Sequence, residues 1–160
     1  MILQYPSEIA ATFKSRSLWI LDGAIGTELE RRGYASTLPL WTSPANIERP
    51  DLVAAVHQEY MDAGATIITA NTFRSTYYTY LKAGHSSQEC EEACRAGIDI
   101  ASKVVSGKAL LAASLAPLED CYRPDDTPPE DVIEEYHTKQ VQLLASCNPD
   151  LILAETINTC

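Results

Sequence analysis

The chain has 160 residues, of which 46% are hydrophobic and 21% charged, so it can bury a core but is too short for two full domains. Its net charge of -10 argues against nucleic acid or an anionic membrane surface as a partner, because both require a basic patch. No apolar run approaches the roughly 20 residues that cross a bilayer, and residues 1–18 carry charges where a signal peptide is apolar, so we expect a cytoplasmic protein.

Four short apolar runs, each followed by a polar turn and most by a segment of helical period, organise the chain. They are residues 18–21, 66–70, 109–113 and 151–154. Strands that alternate with helices pair in parallel, and strands that are apolar throughout are covered on both faces. The pattern therefore predicts an α/β fold with a parallel sheet of four strands.

The helices between these strands have readable ends. Pro50 stands at a first-turn position and Gly64 ends the first of them. The pair Ser86 and Glu89 has the spacing of a capping box, and that helix ends at Gly107. The same spacing recurs at residues 127–130, where it predicts a capping box for the third helix. Residues 37–50 and 119–130 are predicted to be long loops after strands.

The cysteines do not form a metal or redox motif. Their number is odd and no C-x-x-C pair occurs among Cys90, Cys94, Cys121, Cys147 and Cys160. Cys90 and Cys94 share one face of a predicted helix with apolar neighbours, so we expect them to pack in the core. The three histidines, none of which follows a strand, are expected to be surface or packing residues.

The carboxyl ends of the predicted strands are where a parallel α/β fold places its functional groups. Asp22 closes the first strand and Glu155 the fourth, and two carboxylates that face one pocket can bind an ammonium group or share acid and base work. For either residue alone, a helix cap or a loop salt bridge is an equally good explanation. The repetition at two strand ends favours a functional pocket.

Smaller polar groups accompany these carboxylates. Gly26 and Thr27 lie in the turn after Asp22, where backbone amides and a hydroxyl could meet a ligand carboxylate. Asn71 follows the second strand and Ser114 ends the third, and both can orient an amino acid by hydrogen bonds. The turn lacks the G-x-G-x-x-G fingerprint of dinucleotide sites and the P-loop lysine.

An ordered series of motifs resembles the homocysteine S-methyltransferases over nearly the whole chain from Trp19 onward. The series is LDGAIGTEL at 21–29, LW at 40–41, HQEY at 57–60, AGA at 63–65, TANTF at 69–73, ASLAP at 113–117 and LAET at 153–156. The resemblance implies the first four βα units of a (β/α)8 TIM barrel, with residues 1–160 as its N-terminal half and the second half absent.

The resemblance also implies an activity. Family members transfer a methyl group to the thiolate of homocysteine, which gives methionine, and zinc activates the thiol because coordination deprotonates it. S-methylmethionine is the expected donor, since no cobalamin-binding segment is present. By motif match, Asp22 and Glu155 hold the substrate amino group, while Gly26, Thr27 and Asn71 line the same pocket.

The zinc-binding cysteines of the family are expected beyond Cys160, so this chain is predicted to hold no metal ligand and to be inactive alone. A fragment of a longer enzyme is the favoured explanation. A half-barrel completed by a second chain, a degenerate descendant, and a non-catalytic module that self-associates through open barrel edges are the alternatives. Schiff-base chemistry is disfavoured, because no lysine closes any predicted strand.

Overall fold

The computed structural model describes residues 18–157, together with Ala11 and Lys14. The helices are α1 (Ile25–Arg31), α2 (Ala45–Glu48), α3 (Pro50–Asp62), α4 (Tyr77–Lys82), α5 (Ser87–Val105) and α6 (Glu130–Ser146), with a 3-10 turn at Pro124–Asp126. The strands are β1 (Ile67–Ala70), β2 (Leu110–Leu115) and β3 (Leu151–Ala154). No helix within residues 18–157 is long and apolar enough to cross a membrane.

The three strands form one parallel sheet in the order β1-β2-β3. Ile67 is paired with Leu110, and Ala112 with Leu151. Successive parallel strands joined through helices are the arrangement that the sequence predicted. All four residues of β1 are buried, as expected for an apolar strand covered on both faces, whereas β3, the last strand, is only partly covered.

The first predicted strand, residues 18–21, is reduced to a single parallel bridge between Leu21 and Ile67. Side chains end the ladder on both sides of that bridge. The hydroxyl of Thr66 accepts from the amide of Ile20 at 2.9 Å, and the amide of Thr69 donates to the carboxylate of Asp22 at 2.8 Å instead of to a backbone carbonyl. The prediction of four strands is therefore corrected to three strands and a bridge.

The helix ends agree with the sequence at two helices and differ at the third. Gly64, with a φ of 103°, follows α3, and the Ser86–Glu89 capping box is formed at α5. The predicted box of Thr127 is absent, because its hydroxyl donates to the carbonyl of Pro124 at 2.6 Å and Pro129 stands at the N-cap of α6. The 3-10 turn takes the Thr127 side chain away from the helix. The predicted loop at residues 37–50 also contains α2.

The main core lies between the sheet and helices α5 and α6. Its buried members include Ile68, Leu111, Leu144 and, as predicted, Cys94. Cys90 is buried in a smaller cluster with Tyr80. Burial raises the pKa of the Cys90 thiol to about 12 and that of Cys94 further, so both thiols stay protonated and serve as packing groups.

Helix α5 approaches the sheet closely at Gly97. A Cβ atom on Gly97 would lie 2.6 Å from the Nδ2 atom of Asn46 and 3.1 Å from the carbonyl oxygen of Asn71. The Asn46 amide donates to the carbonyls of Asn71 and Ala93, at 2.8 and 2.9 Å. Glycine at this position therefore lets one buried asparagine join α2, α5 and the end of β1.

Candidate functional site

A cleft of about 590 Å³ opens at the carboxyl ends of the strands. Residues 21–26, 69–71 and 155–156 line it from the strand ends, and its other walls are Leu38, Trp41, Phe73, Arg74 and the loop residues Asp120, Cys121 and Tyr122. A second groove, of about 510 Å³, lies among α4, α5 and α6, away from the strand ends. Only the first is where a parallel α/β fold gathers its chemistry.

Asp22 is half-buried in the cleft and is fixed by Thr69. The two oxygens of its carboxylate accept hydrogen bonds from the Thr69 amide and hydroxyl, each at 2.8 Å. Burial raises the pKa of Asp22 to about 6; the Thr69 hydrogen bonds oppose this shift, and repulsion from the Glu155 carboxylate adds to it. Within residues 18–157 no basic side chain forms an ion pair with this carboxylate. A cationic ligand would stabilise its charged form and offset the repulsion from Glu155.

Glu155 enters the same cleft from the end of β3. Its amide donates to the carbonyl of Leu115 at 3.1 Å, which continues the β2–β3 ladder by one residue. The hydroxyl of the buried Ser114 donates to the Glu155 carboxylate. Ser114 does not line the cleft itself, so the structure places it behind Glu155 as a group that fixes the carboxylate.

The structure places Gly23 just before α1 and Gly26 inside the first turn of that helix, and aromatic rings pack against both glycines. A Cβ atom on Gly23 would lie 2.7 Å from the hydroxyl oxygen of Tyr60, and one on Gly26 would lie 2.5 Å from Cζ2 of Trp41. Tyr60 also donates to the carbonyl of Ala24 at 3.1 Å. Gly26 lines the cleft, whereas Thr27 is exposed and lies outside the cleft lining.

Asn71 lines the cleft but uses its amide within the protein. Its Nδ2 atom donates to the Thr42 carbonyl and to Oδ1 of Asn46, both at 2.9 Å. The neighbouring Thr72 exchanges hydrogen bonds with the backbone of Ser114 at 2.9 and 3.0 Å. These side chains hold the strand ends together, so Asn71 shapes the wall of the cleft and has little amide capacity left for a ligand.

Sequence reasoning missed part of the wall. Arg74 and the loop residues Asp120 and Tyr122 were not singled out, although each lies a few residues after a predicted strand. A basic residue just past a strand end in a chain of net charge -10 was the available signal for Arg74. Trp41 and Phe73 belonged to the motif series but had no assigned role, and they meet edge-on with ring centroids 6.5 Å apart.

The described residues do not fit a zinc site. No three His, Cys, Asp or Glu side chains within residues 18–157 are placed to hold one metal ion. Cys121 lines the cleft, but structural and catalytic zinc sites take three or four protein ligands. No step of the chemistry is therefore assigned to a metal held by this part of the chain.

The comparisons with known proteins agree with this geometry. The homocysteine S-methyltransferase family model matches residues 19–160. Homocysteine S-methyltransferase 1 of Zea mays is 32% identical over 86% of this chain and 50% of the maize protein. The selenocysteine Se-methyltransferase of Brassica oleracea var. italica is 27% identical over 86% of this chain and 47% of its own length.

A solved structure is similar over the same region. The metallated form of the homocysteine methyltransferase MmuM from Escherichia coli superposes with a TM-score of 0.82 at 26% identity, over 92% of this chain and 57% of that protein. The chain thus spans about half the length of the relatives it matches. Because the family match runs from residue 19 to residue 160 and the strand-end cleft lies inside it, the chain belongs to the homocysteine S-methyltransferase family.

Proposed function

We propose that this chain forms the homocysteine-binding half of a homocysteine S-methyltransferase. The observation that carries the proposal is the meeting of two carboxylates in one cleft, Asp22 from the end of the bridged segment and Glu155 from the end of β3. Each is fixed by a hydroxyl or amide of a neighbouring strand, and no lysine or arginine in the described part of the chain is paired with either. An ammonium group is the ligand that such a pair favours.

The reaction follows from the chemistry of the ligand. The homocysteine sulfur attacks the methyl carbon of a sulfonium donor; a carbon–sulfur bond forms as the donor's bond breaks, and the donor leaves as a thioether. We propose S-methylmethionine as the donor, and zinc, bound by residues outside those described, as the group that keeps the thiol deprotonated. Within this chain, Asp22 and Glu155 hold the amino end of homocysteine, which limits the positions of its sulfur. The cytoplasm is the proposed location.

Binding of homocysteine to the 160-residue chain tests this proposal by isothermal titration calorimetry. We expect the wild type to bind, and the variants Asp22→Asn and Glu155→Gln each to lose about 10- to 100-fold in affinity, because each removes one charged partner of the ammonium group. Asp99→Asn is the matched control, since that carboxylate lies on α5 and pairs with Lys103. Binding that is equal in all four proteins would rule the ammonium site out.

Activity is tested separately on the full gene product. We expect methyl transfer from S-methylmethionine to homocysteine by that product, and loss of transfer in its Asp22→Asn variant. Turnover with betaine but not with S-methylmethionine would reject the proposed donor while leaving the homocysteine site intact.

A second candidate function rests on the partly covered sheet. Strand β3 is incompletely buried, and Leu18 and Ile20 are 68% and 46% exposed beside β1. Within the described ranges neither edge of the sheet pairs with a further strand, and apolar residues at such edges fit a half-barrel that binds or assembles with another chain. This alternative predicts association without homocysteine binding.

A further inference from the structure

Arg74 is the basic side chain of the cleft. The charged residues that line the cleft are Asp22, Asp120, Glu155 and Arg74, three acids and one base. Arg74 reaches the cleft from the segment that follows β1. Among the residues that the structure describes, a ligand that enters this space therefore meets three carboxylates and one guanidinium group.

The guanidinium of Arg74 has no carboxylate partner in the described part of the chain. Its Nη1 atom donates to the carbonyl of Glu119 at 3.3 Å, and its Cζ atom lies 5.2 Å from the centroid of the Phe73 ring. Its buried Nε atom has no hydrogen-bond partner among residues 18–157. The other arginines described each lie within 4.0 Å of a carboxylate: Arg31, Arg32, Arg49, Arg95 and Arg123. Arg74 is thus held in place while its charge is unpaired.

We infer that Arg74 binds the carboxylate of the amino acid that this cleft takes. The inference rests on the proposed function. A free amino acid carries an ammonium and a carboxylate on the same carbon, and a site with only acidic groups would repel the second while it held the first. Planar guanidinium groups match carboxylates with two parallel hydrogen bonds, and stacking on a ring fixes their plane.

Two amino acids could supply this carboxylate, the methyl acceptor homocysteine and an amino-acid donor such as S-methylmethionine. The contact with Glu119 also offers a structural role, since it holds the start of the loop whose residues Asp120 and Tyr122 line the cleft. A loop support would act on every ligand of the cleft alike. A carboxylate partner acts only on ligands that carry a carboxylate, and this difference decides between the two.

The test compares ligands with and without the carboxylate on the 160-residue chain. Calorimetry is run with homocysteine, its decarboxylated analogue 3-aminopropane-1-thiol, S-methylmethionine and its decarboxylated analogue, on wild type, Arg74→Met and Arg74→Lys. Arg95→Met, on α5 and outside the cleft, removes the same charge as a control. Circular dichroism verifies that each variant is folded.

We expect Arg74→Met to lower the affinity for homocysteine by about 10- to 100-fold and to change the affinity for 3-aminopropane-1-thiol by less than about twofold. The affinity of Arg74→Lys for homocysteine should lie between those of wild type and Arg74→Met. A selective loss for S-methylmethionine instead would keep the carboxylate role and assign it to the donor. Equal losses for each ligand and its analogue, or no loss, would overturn the inference and leave the homocysteine site standing. If wild type binds neither amino acid, the proposed function itself fails, and this inference with it.

Discussion

At the scale of single residues, the cleft contains a half-buried carboxylate, Asp22, whose pKa is raised. Burial holds the pKa of Asp22 at about 6, so this group is ionised at neutral pH and becomes neutral as the pH falls below that value. An ammonium ligand needs the ionised form. We therefore expect the affinity for homocysteine to fall, by up to about tenfold per pH unit, below about pH 6.

Calorimetry between about pH 7.5 and about pH 5 measures this dependence. The variant Asp22→Asn cannot titrate at this position and should bind weakly with a flatter profile. An unchanged affinity of the wild type across that range would show that Asp22 does not hold the ammonium group.

His57 is the second residue whose environment sets a pH dependence. It is fully buried on α3, neither ring nitrogen has a hydrogen-bond partner among the residues described, and burial lowers its pKa to about 4. The unfolded chain binds a proton at this residue below about pH 6.5, whereas the folded chain does so only below about 4. Folding should therefore lose stability, up to about 3 kcal/mol, as the pH falls through that window.

Urea unfolding of wild type and His57→Leu tests this prediction. Asp22 acts in the opposite direction between about pH 6 and 4, because its folded-state pKa is raised, so the difference between the two proteins isolates His57. The free energy of unfolding of wild type should fall relative to that of His57→Leu as the pH is lowered, because only the wild type carries the buried imidazole. A wild type and a His57→Leu variant with parallel pH profiles would contradict the argument.

At the scale of the elements, the capping-box spacing occurs before α5 and before α6, but the box forms only at α5. At α5 the Ser86 hydroxyl accepts from the Glu89 amide at 3.2 Å and the Glu89 carboxylate accepts from the Ser86 amide at 2.8 Å, as the sequence predicted. At α6 the Pro124–Asp126 turn occupies Thr127 instead. Capping residues compete with nearby backbone carbonyls, and the sequence pattern alone does not show which partner lies closer.

Alanine substitutions at Ser86, which caps α5, and at Thr127, which does not cap α6, can be compared directly. Ser86→Ala should lower the free energy of unfolding by about 1 kcal/mol, because it leaves an amide of the first turn unsatisfied. Ser87→Ala, at the exposed first residue of α5, is its control. Thr127→Ala should leave helix α6 intact and cost only a few tenths of a kcal/mol, since that hydroxyl bonds to an exposed turn. Urea titrations monitored by circular dichroism compare them, and an equal loss at both positions would mean that Thr127 does cap α6.

Gly97 tests how tightly α5 is joined to the sheet. Alanine in a helix interior is normally more stable than glycine by about 0.5–1 kcal/mol. At this position the added Cβ atom would press on Asn46 and on the carbonyl of Asn71, so Gly97→Ala should instead cost about 1–3 kcal/mol. Urea unfolding measures whether the free energy of unfolding of Gly97→Ala is lower or higher than that of wild type. A stabilised Gly97→Ala variant would mean that Asn46 moves aside freely.

At the scale of the whole molecule, the parallel α/β plan and the strand-end cleft could be predicted from the sequence. Apolar runs and helix stops are local signals, and the position of Asp22 and Glu155 at strand ends implies a shared edge. The loss of the first strand could not be predicted, because it depends on the Asp22 carboxylate taking the Thr69 amide across the sheet. The wall contributed by Arg74 and residues 120–122 likewise depends on how a long loop folds back.

The two edges of the sheet give the last prediction. The segment at Ile20 pairs with β1 on one side, and β3 pairs with β2 on one side, among the residues described. Backbone groups and apolar side chains at open edges favour association with further strands. We therefore expect the 160-residue chain to self-associate as its concentration rises in sedimentation velocity experiments. Ile20→Lys should reduce this association, because a charge at a strand edge opposes pairing, whereas Ile47→Lys, at a 56% exposed residue of α2, should not. A wild type that stays monomeric at every concentration would remove the support for the assembly alternative and leave homocysteine binding as the function to pursue.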